Sequence, residues 1–321
     1  MVALSSHSKE RQLIFPKEGV INLQDQRDLR KAYDKAVQEQ FRRLGRPGRW
    51  RDAWVARARR KKSKALANAD PEFYVLSRSI NISATWLSVV AVTLQMELSH
   101  PDDDEEFSDE QKAALAFFSR LANDLWAIIE LVECGFDLQA RALARSYLEH
   151  VDVLICCIDD IELTKEFVAA VEPEASNHFW HKNVSKDKIK KRTASLVSEM
   201  LKLPGNNVVN LLREPVEAIG SILHHPTVLA GWWAAFGDRD VNYDGTYPIF
   251  PVPTAGSKDV FRVLLTHQSW LCLAMGSLPK FPHGAWGSLL RSDRFIKDRM
   301  VDDLQRINFN MMGFLLQNEL F

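Results

Sequence analysis

The stretch SDEQKAALAFFSRLANDLWAIIELVECGFDLQARALARSYLEHVDVLICCID, Ser108 to Asp159, decides the fold. Ser108, followed three residues later by Gln111, makes a capping box, the signature of a helix start. Phe117, Leu121, Leu125, Ile128 and Leu131 then recur at the spacing of one helix face. Gly135 interrupts the pattern. Phe136 to Ile158 resumes it as a second long helix.

Working outward, a helix is expected over Glu72–Leu98, followed by the acidic loop 102–106. Shorter helical patterns run at about 160–171, 174–182, 185–203 and 206–219, with Pro204-Gly205 separating the last two. Loop signals concentrate at Gly237–Ser257, where Tyr247 to Pro253 suits a short extended piece. Ser257 is placed to cap a helix through Val260, Leu264, Trp270 and Leu273. A last helix is expected from about Ser292 to Gln317. On the N-terminal side, residues 1 to about 22 read as an irregular arm, and Gln24–Leu44 as a polar helix ending near Gly45 and Pro47. The expected architecture is all-α: a multi-helix bundle with an irregular N-terminal arm and a Pro/Gly-rich loop near 237–257. Residues 1–65 form the arm and a basic helical segment, and 66–321 the bundle domain. There is no internal repeat or low-complexity linker.

With 46% hydrophobic and 26% charged residues, the 321-residue chain can bury a sizeable core. Its formal net charge of -1 points to no partner, so the distribution of charge matters more. Cys134, Cys156, Cys157 and Cys272 form no C-x-x-C pair and read as buried apolar packing in a reduced, cytoplasmic protein. The N-terminus lacks the apolar core of a signal peptide. Ser79 to Met96 is uncharged and about as long as a membrane span. It carries Ser79, Asn81, Ser83, Thr85, Ser88, Thr93 and Gln95, and a bundle helix with no membrane partner explains it better.

Arg141, Arg145 and Glu149 recur every four residues and share a helix face, with Asp137 and Asp152 extending the charged neighbourhood. The stripe is either solvated or a buried Arg145–Glu149 network lining an inter-helix pocket. Burial would require every charge to be hydrogen-bonded. In Ser221-Ile-Leu-His-His225-Pro226, the proline disfavours helical geometry at His225. That histidine therefore sits at a helix end or turn, either facing a cavity or serving a capped terminus.

From Arg42 to Lys64 the chain is basic, with only Asp52 opposed. Arg49, Arg57, Arg60 and Lys61, with Trp50 and Trp54 one helical turn apart, suit contact with a nucleic-acid backbone and stacking on bases. An acidic protein partner fits the same charges. Lys186 to Arg192 offers a smaller basic patch. Glu174, His178 and His181 could share a face and hold zinc. Polar histidines beside a packed Trp180 explain them more simply, and no metal is expected. No Walker loop, Rossmann glycine fingerprint or G-x-S-x-G elbow occurs, and no cofactor is expected.

Two resemblances follow from these residues. Arg145 and His150 satisfy R-x4-H, which resembles the HEPN-type helical ribonucleases common in toxins and phage defence. That likeness implies RNA cleavage at a composite site in a homodimer, and Trp232-Trp233 could serve its interface. The sequence departs from many such nucleases at Ser146, where they carry Asn, His or Asp. Over roughly Gly135 to Pro226 the chain also resembles a bacterial all-helical domain-of-unknown-function family numbered 5677. Gly135, Ala140, Arg145 and Glu149 carry that likeness, with Phe167-Val168 and then Ser221, His225 and Pro226. It implies a helical fold, a role in defence or stress systems, and one polar site shared by Arg145, Glu149, Ser221 and His225. The functional expectation is a defence- or toxin-like protein with metal-independent ribonuclease chemistry at Arg145, Glu149, His150 and His225. The alternative is a non-catalytic interaction or sensor protein whose Arg/Glu network ties helices together.

Overall fold

The computed structural model describes residues 70–98, 107–202, 255–276 and 300–318, together with Lys31 and Lys35, both helical and exposed. The expectations for the N-terminal arm, the basic block, the acidic loop, the helix at 206–219, Trp232-Trp233 and the loop at 237–254 lie outside these residues. All described residues except Lys31 and Lys35 belong to the compact unit Arg59–Phe321.

Eight α-helices and no strand occur among the described residues, as an all-α bundle requires. They are α1 (Pro71–Leu98), α2 (Asp109–Glu133), α3 (Asp137–Asp159), α4 (Ile161–Ala169), α5 (Pro173–Phe179), α6 (Lys188–Leu201), α7 (Ala255–Gly276) and α8 (Met300–Gln317). A π-helical turn, Trp180–Val184, continues α5.

The start of α2 is the expected capping box. The Gln111 amide donates to Ser108 Oγ (3.2 Å), and the Ser108 amide donates to Gln111 Oε1 (3.1 Å). Asp109 and Glu110 in the first turn complement the helix dipole. The helix ends in a Schellman motif. Gly135 takes φ 77°, its amide donates to Val132 O (2.9 Å), and the Phe136 amide donates to Leu131 O (2.8 Å). Gly135 thus interrupts the helical pattern because only glycine adopts this left-handed geometry without steric cost.

α3 is deeply enclosed over its C-terminal half, with every residue from Val151 to Ile158 buried. It packs against α2, α6 and α7, and α1 packs against α2, α7 and α8. By length and composition α1 could cross a membrane. Here its Leu76, Ile80, Trp86, Leu87 and Leu94 are fully buried. Its hydroxyls fold back onto the helix, with Thr85 Oγ1 donating to Asn81 O and Ser88 Oγ to Ala84 O, both at 2.8 Å. Ser83 donates to the buried Asn308 Oδ1 on α8 (2.7 Å), and Asn308 Nδ2 reaches Cys272 Sγ on α7 (3.3 Å).

The core is rich in aromatic contacts. Trp86 meets Phe118 edge-on at 5.7 Å, and Phe117 stacks on Phe167 at 4.2 Å. Phe167 in turn meets Phe179 at 5.7 Å. This corrects the expected packing of Trp180: Phe179 faces the core, and Trp180 is 44% exposed.

All four cysteines are buried thiols outside any disulfide. Burial pushes the thiols of Cys156, Cys157 and Cys272 up to about 12, so at neutral pH they are apolar packing groups with negligible thiolate. In the native protein at pH 8 these three should react with Ellman's reagent only as fast as the fold opens, and immediately in denaturant. Labelling of any of them within mixing time, located by mass spectrometry, would contradict this packing.

The N-terminal ends of α1 and α7 are joined by charge. Lys258 Nζ lies 2.9 Å from Asp70 Oδ2 and 2.6 Å from Glu72 Oε2. Arg262 also pairs with Glu72, and with Asp259 at 2.7 Å. Partial burial alone would raise the Asp70 and Glu72 pKa values. For Asp70 the Phe73 amide and then Lys258 outweigh it, and for Glu72 Lys258 and Arg262 do so, holding both below the usual carboxylate range. A depressed folded-state pKa gives stability that is present above the unfolded pKa and lost as pH falls through the folded one. The melting temperature should therefore hold down to about pH 5 and fall below about pH 4. Glu72→Gln should flatten that acid limb in a pH series of melts. An unchanged limb would remove Glu72 as its source.

Candidate functional site

At 100° per residue, Arg145, Glu149, Asp152, Cys156 and Asp159 fall along one face of α3. α6 covers the C-terminal half of that face. Thr193 Oγ1 lies 3.4 Å from Asp152 O and 3.5 Å from Cys156 Sγ. Arg192 reaches Asp159 at 3.4 Å and Asp160 at 2.9 Å. Asp160 also caps α4, accepting from the Glu162 and Leu163 amides at 2.9 and 3.2 Å.

One turn before Asp152 the face opens. Arg145 Nε lies 3.8 Å from Glu149 Oε1, with 51% and 39% of the two side chains exposed. Of the two expected arrangements, the structure adopts the solvated one. The buried Arg145–Glu149 network is not formed, because the described contacts of α6 with this face begin at Asp152.

His150 is half-buried, and its Nδ1 lies 2.7 Å from Ser146 O. A carbonyl oxygen only accepts, so this contact makes Nδ1 the N–H donor, and in the neutral ring the lone pair is on Nε2. Five residues separate Arg145 from His150, which sets them about 140° apart around the helix. One protomer therefore does not aim both at a common point.

The buried cation on this stripe is Arg141, only 1% exposed. Its Nη2 donates to Gly256 O (3.0 Å), and Asp137, four residues earlier, accepts from Ser257 Oγ (2.6 Å). Together they tie the first turns of α3 to the first turn of α7. This corrects the expected role of Ser257. α7 already begins at Ala255, and the Ser257 hydroxyl bonds across to α3 instead of capping its own helix. The sequence signal for Arg141 is the pair of fully buried alanines beside it, Ala140 and Ala144, which give a long side chain room between helices.

Deeper along the same interface Gln268 Nε2 donates to Tyr147 OH. Complete burial, with Cys272 and Asp124 nearby, drives the Tyr147 phenol well above its ordinary pKa. Tyr147 is therefore a neutral hydrogen-bonding group at physiological pH.

Glu174, His178 and His181 are all exposed, and no group of three His, Cys, Asp or Glu poised to hold a metal occurs among the described residues. Of the sequence-derived site residues, the structure brings Arg145 and Glu149 together, with His150 on the adjoining side of the helix. Ser221, His225, Arg49, Trp50, Trp54, Arg57, Arg60 and Lys61 lie outside the described residues. No family model, no curated protein and no solved structure matches this chain.

Proposed function

We propose that the chain is a defence- or toxin-type helical ribonuclease acting through the open face of α3, with a second copy completing the site. The observation that carries the reading is the His150 Nδ1 contact with Ser146 O at 2.7 Å, which orients the ring and reserves Nε2 for proton transfer. In the proposed step Nε2 takes the proton of a ribose 2′-hydroxyl. The 2′-oxygen bonds to phosphorus and the bond from phosphorus to the 5′-oxygen breaks. That oxygen leaves with a proton taken from water, giving a 2′,3′-cyclic phosphate and a 5′-hydroxyl, and the His150 ring returns its own proton to solvent. Arg145 offsets the charge on the phosphoryl oxygens, and Glu149 steadies its guanidinium. The angular separation of Arg145 and His150 is the reason for a dimer: His150 of one copy works beside Arg145 of the other.

Single-stranded RNA incubated with the full chain in EDTA should yield cyclic-phosphate ends. His150→Ala should slow this by about 10²- to 10⁴-fold. No cleavage at any pH from about 6 to 8, with or without divalent cations, or wild-type rates in both His150→Ala and Arg145→Ala, would overturn the reading.

A second reading, a non-catalytic interaction protein, is favoured by the way Arg145 and Glu149 answer each other's charge at 3.8 Å. Glu149→Gln separates the two. An exposed i,i+4 pair contributes only about 0.3–0.5 kcal/mol, so the melting temperature should barely move. Loss of cleavage in this variant then reports on the reaction and not on folding. Normal cleavage would leave Glu149 as a surface partner only.

A further inference from the structure

The turn that joins α5 to α6 carries an indole in water beside a run of cations. Trp180 is 44% exposed although its neighbour Phe179 is buried. The His181 ring meets the indole edge-on at 4.9 Å. The wide turn behind them is closed by the Ser185 amide donating to Trp180 O (2.9 Å), five residues back. Single π-turns of this kind are frequent at functional sites.

The start of α6 is lashed to this turn. Lys188 Nζ donates to the carbonyls of His181 (3.0 Å) and Lys182 (2.9 Å). That contact makes the Trp180–His181 pair and the first turn of α6 neighbours. Lys182, Lys186, Lys188 and Lys191 are all exposed. From His178 to Arg192 the chain carries Lys182, Lys186, Lys188, Lys190, Lys191 and Arg192 against the single acid Asp187. Glu166 meets the charge of Lys182 at 2.7 Å, and Asp159 and Asp160 meet that of Arg192. Lys186 and Lys191 have no ion-pair partner among the described residues.

We propose that this surface binds single-stranded nucleic acid, with an unpaired base stacked on Trp180 and the phosphate backbone running over Lys186 and Lys191 and past the charge of Lys188. The indole selects the occupant. An acidic peptide would use the lysines, but Asp and Glu side chains bring no aromatic ring to stack on Trp180, and a duplex hides its base faces. Stacking on an exposed aromatic combined with a basic track is how unpaired strands are held without sequence preference. The surface is separate from the α3 stripe, and its binding can be read without turnover, so it stands whether or not the protein cleaves RNA.

The test uses the full chain and a short fluorescein-labelled 2′-O-methyl oligoadenylate, which lacks the attacking hydroxyl. Anisotropy titrations are run over a salt series. Trp180→Ala should weaken binding roughly five- to a hundred-fold, and Trp180→Phe should restore much of it. Lys186→Gln with Lys191→Gln should lower affinity and make the plot of log affinity against log salt shallower by roughly 1.4, about 0.7 for each lost phosphate contact. All three side chains are exposed, so far-UV circular dichroism melts should match wild type. The proposal is overturned if the wild-type chain fails to bind at low salt, if Trp180→Ala binds as tightly as wild type, or if oligoglutamate displaces the strand as effectively as unlabelled oligonucleotide does.

Discussion

Arg141→Ala should cost about 3–5 kcal/mol of folding stability, the range for removing one partner of a buried, hydrogen-bonded charge. The side chain is 1% exposed and among the largest fully buried ones of the described residues. Truncation deletes the donor to Gly256 O (3.0 Å) and opens a hole beside Ala140 and Ala144, whose methyl groups are too short to fill it. A buried carbonyl left unpaired adds about 1–3 kcal/mol by itself. Arg141→Met separates the two parts. It restores much of the volume but not the hydrogen bond, so it should recover the cavity share alone. The Asp137 carboxylate still accepts from Ser257 in either variant. Urea unfolding followed by circular dichroism measures both. A loss below about 1 kcal/mol for Arg141→Ala would mean that the link between α3 and α7 carries no weight. A surface charge replaced in the same way, such as Arg145→Ala, should change stability by no more than about 0.5 kcal/mol, which sets the scale.

Arg141 also shows where the sequence stops being legible. Local rules read well. The capping box at Ser108, the glycine break at Gly135 and the apolar face of α2 all follow from neighbours within one or two turns. So do the long patterns that became α1 and α3. The charged stripe on α3 was visible too, as Arg141, Arg145 and Glu149 on one face. The helix that lies over each end of it was not visible. α7 begins over a hundred residues later, and its Gly256 carbonyl meets Arg141 and not Arg145. Periodicity groups residues by face, but the depth of each along that face is set by long-range packing. Ser257 was misread for the same reason: its cap-like position is local, while its bond to Asp137 spans 120 residues. Trp180 was misread for a related reason. Phe179 and Trp180 point about 100° apart around the helix, and the Phe167 ring on α4 takes Phe179 into the core and leaves Trp180 outside it.

The second large effect is expected at Trp86. Its side chain is fully buried on α1, edge-on to Phe118 at 5.7 Å, and its Nε1 has no hydrogen-bond partner among the described residues. Trp86→Ala should lose about 3–5 kcal/mol, the usual cost of emptying a large aromatic site in a core that relaxes only in part. Trp86→Phe should behave quite differently. It leaves a smaller void and retains a ring against Phe118. It also removes a donor whose burial without a partner costs about 1–3 kcal/mol. The two terms oppose each other, so its net loss should be about 1 kcal/mol or less. A double-mutant cycle with Phe118→Leu should return about 0.5–1.5 kcal/mol of coupling for the ring pair. If Trp86→Phe proves as damaging as Trp86→Ala, the indole N–H must be bonded, most simply to a buried water held between α1 and its neighbours. That water would then belong to the core as much as any side chain does.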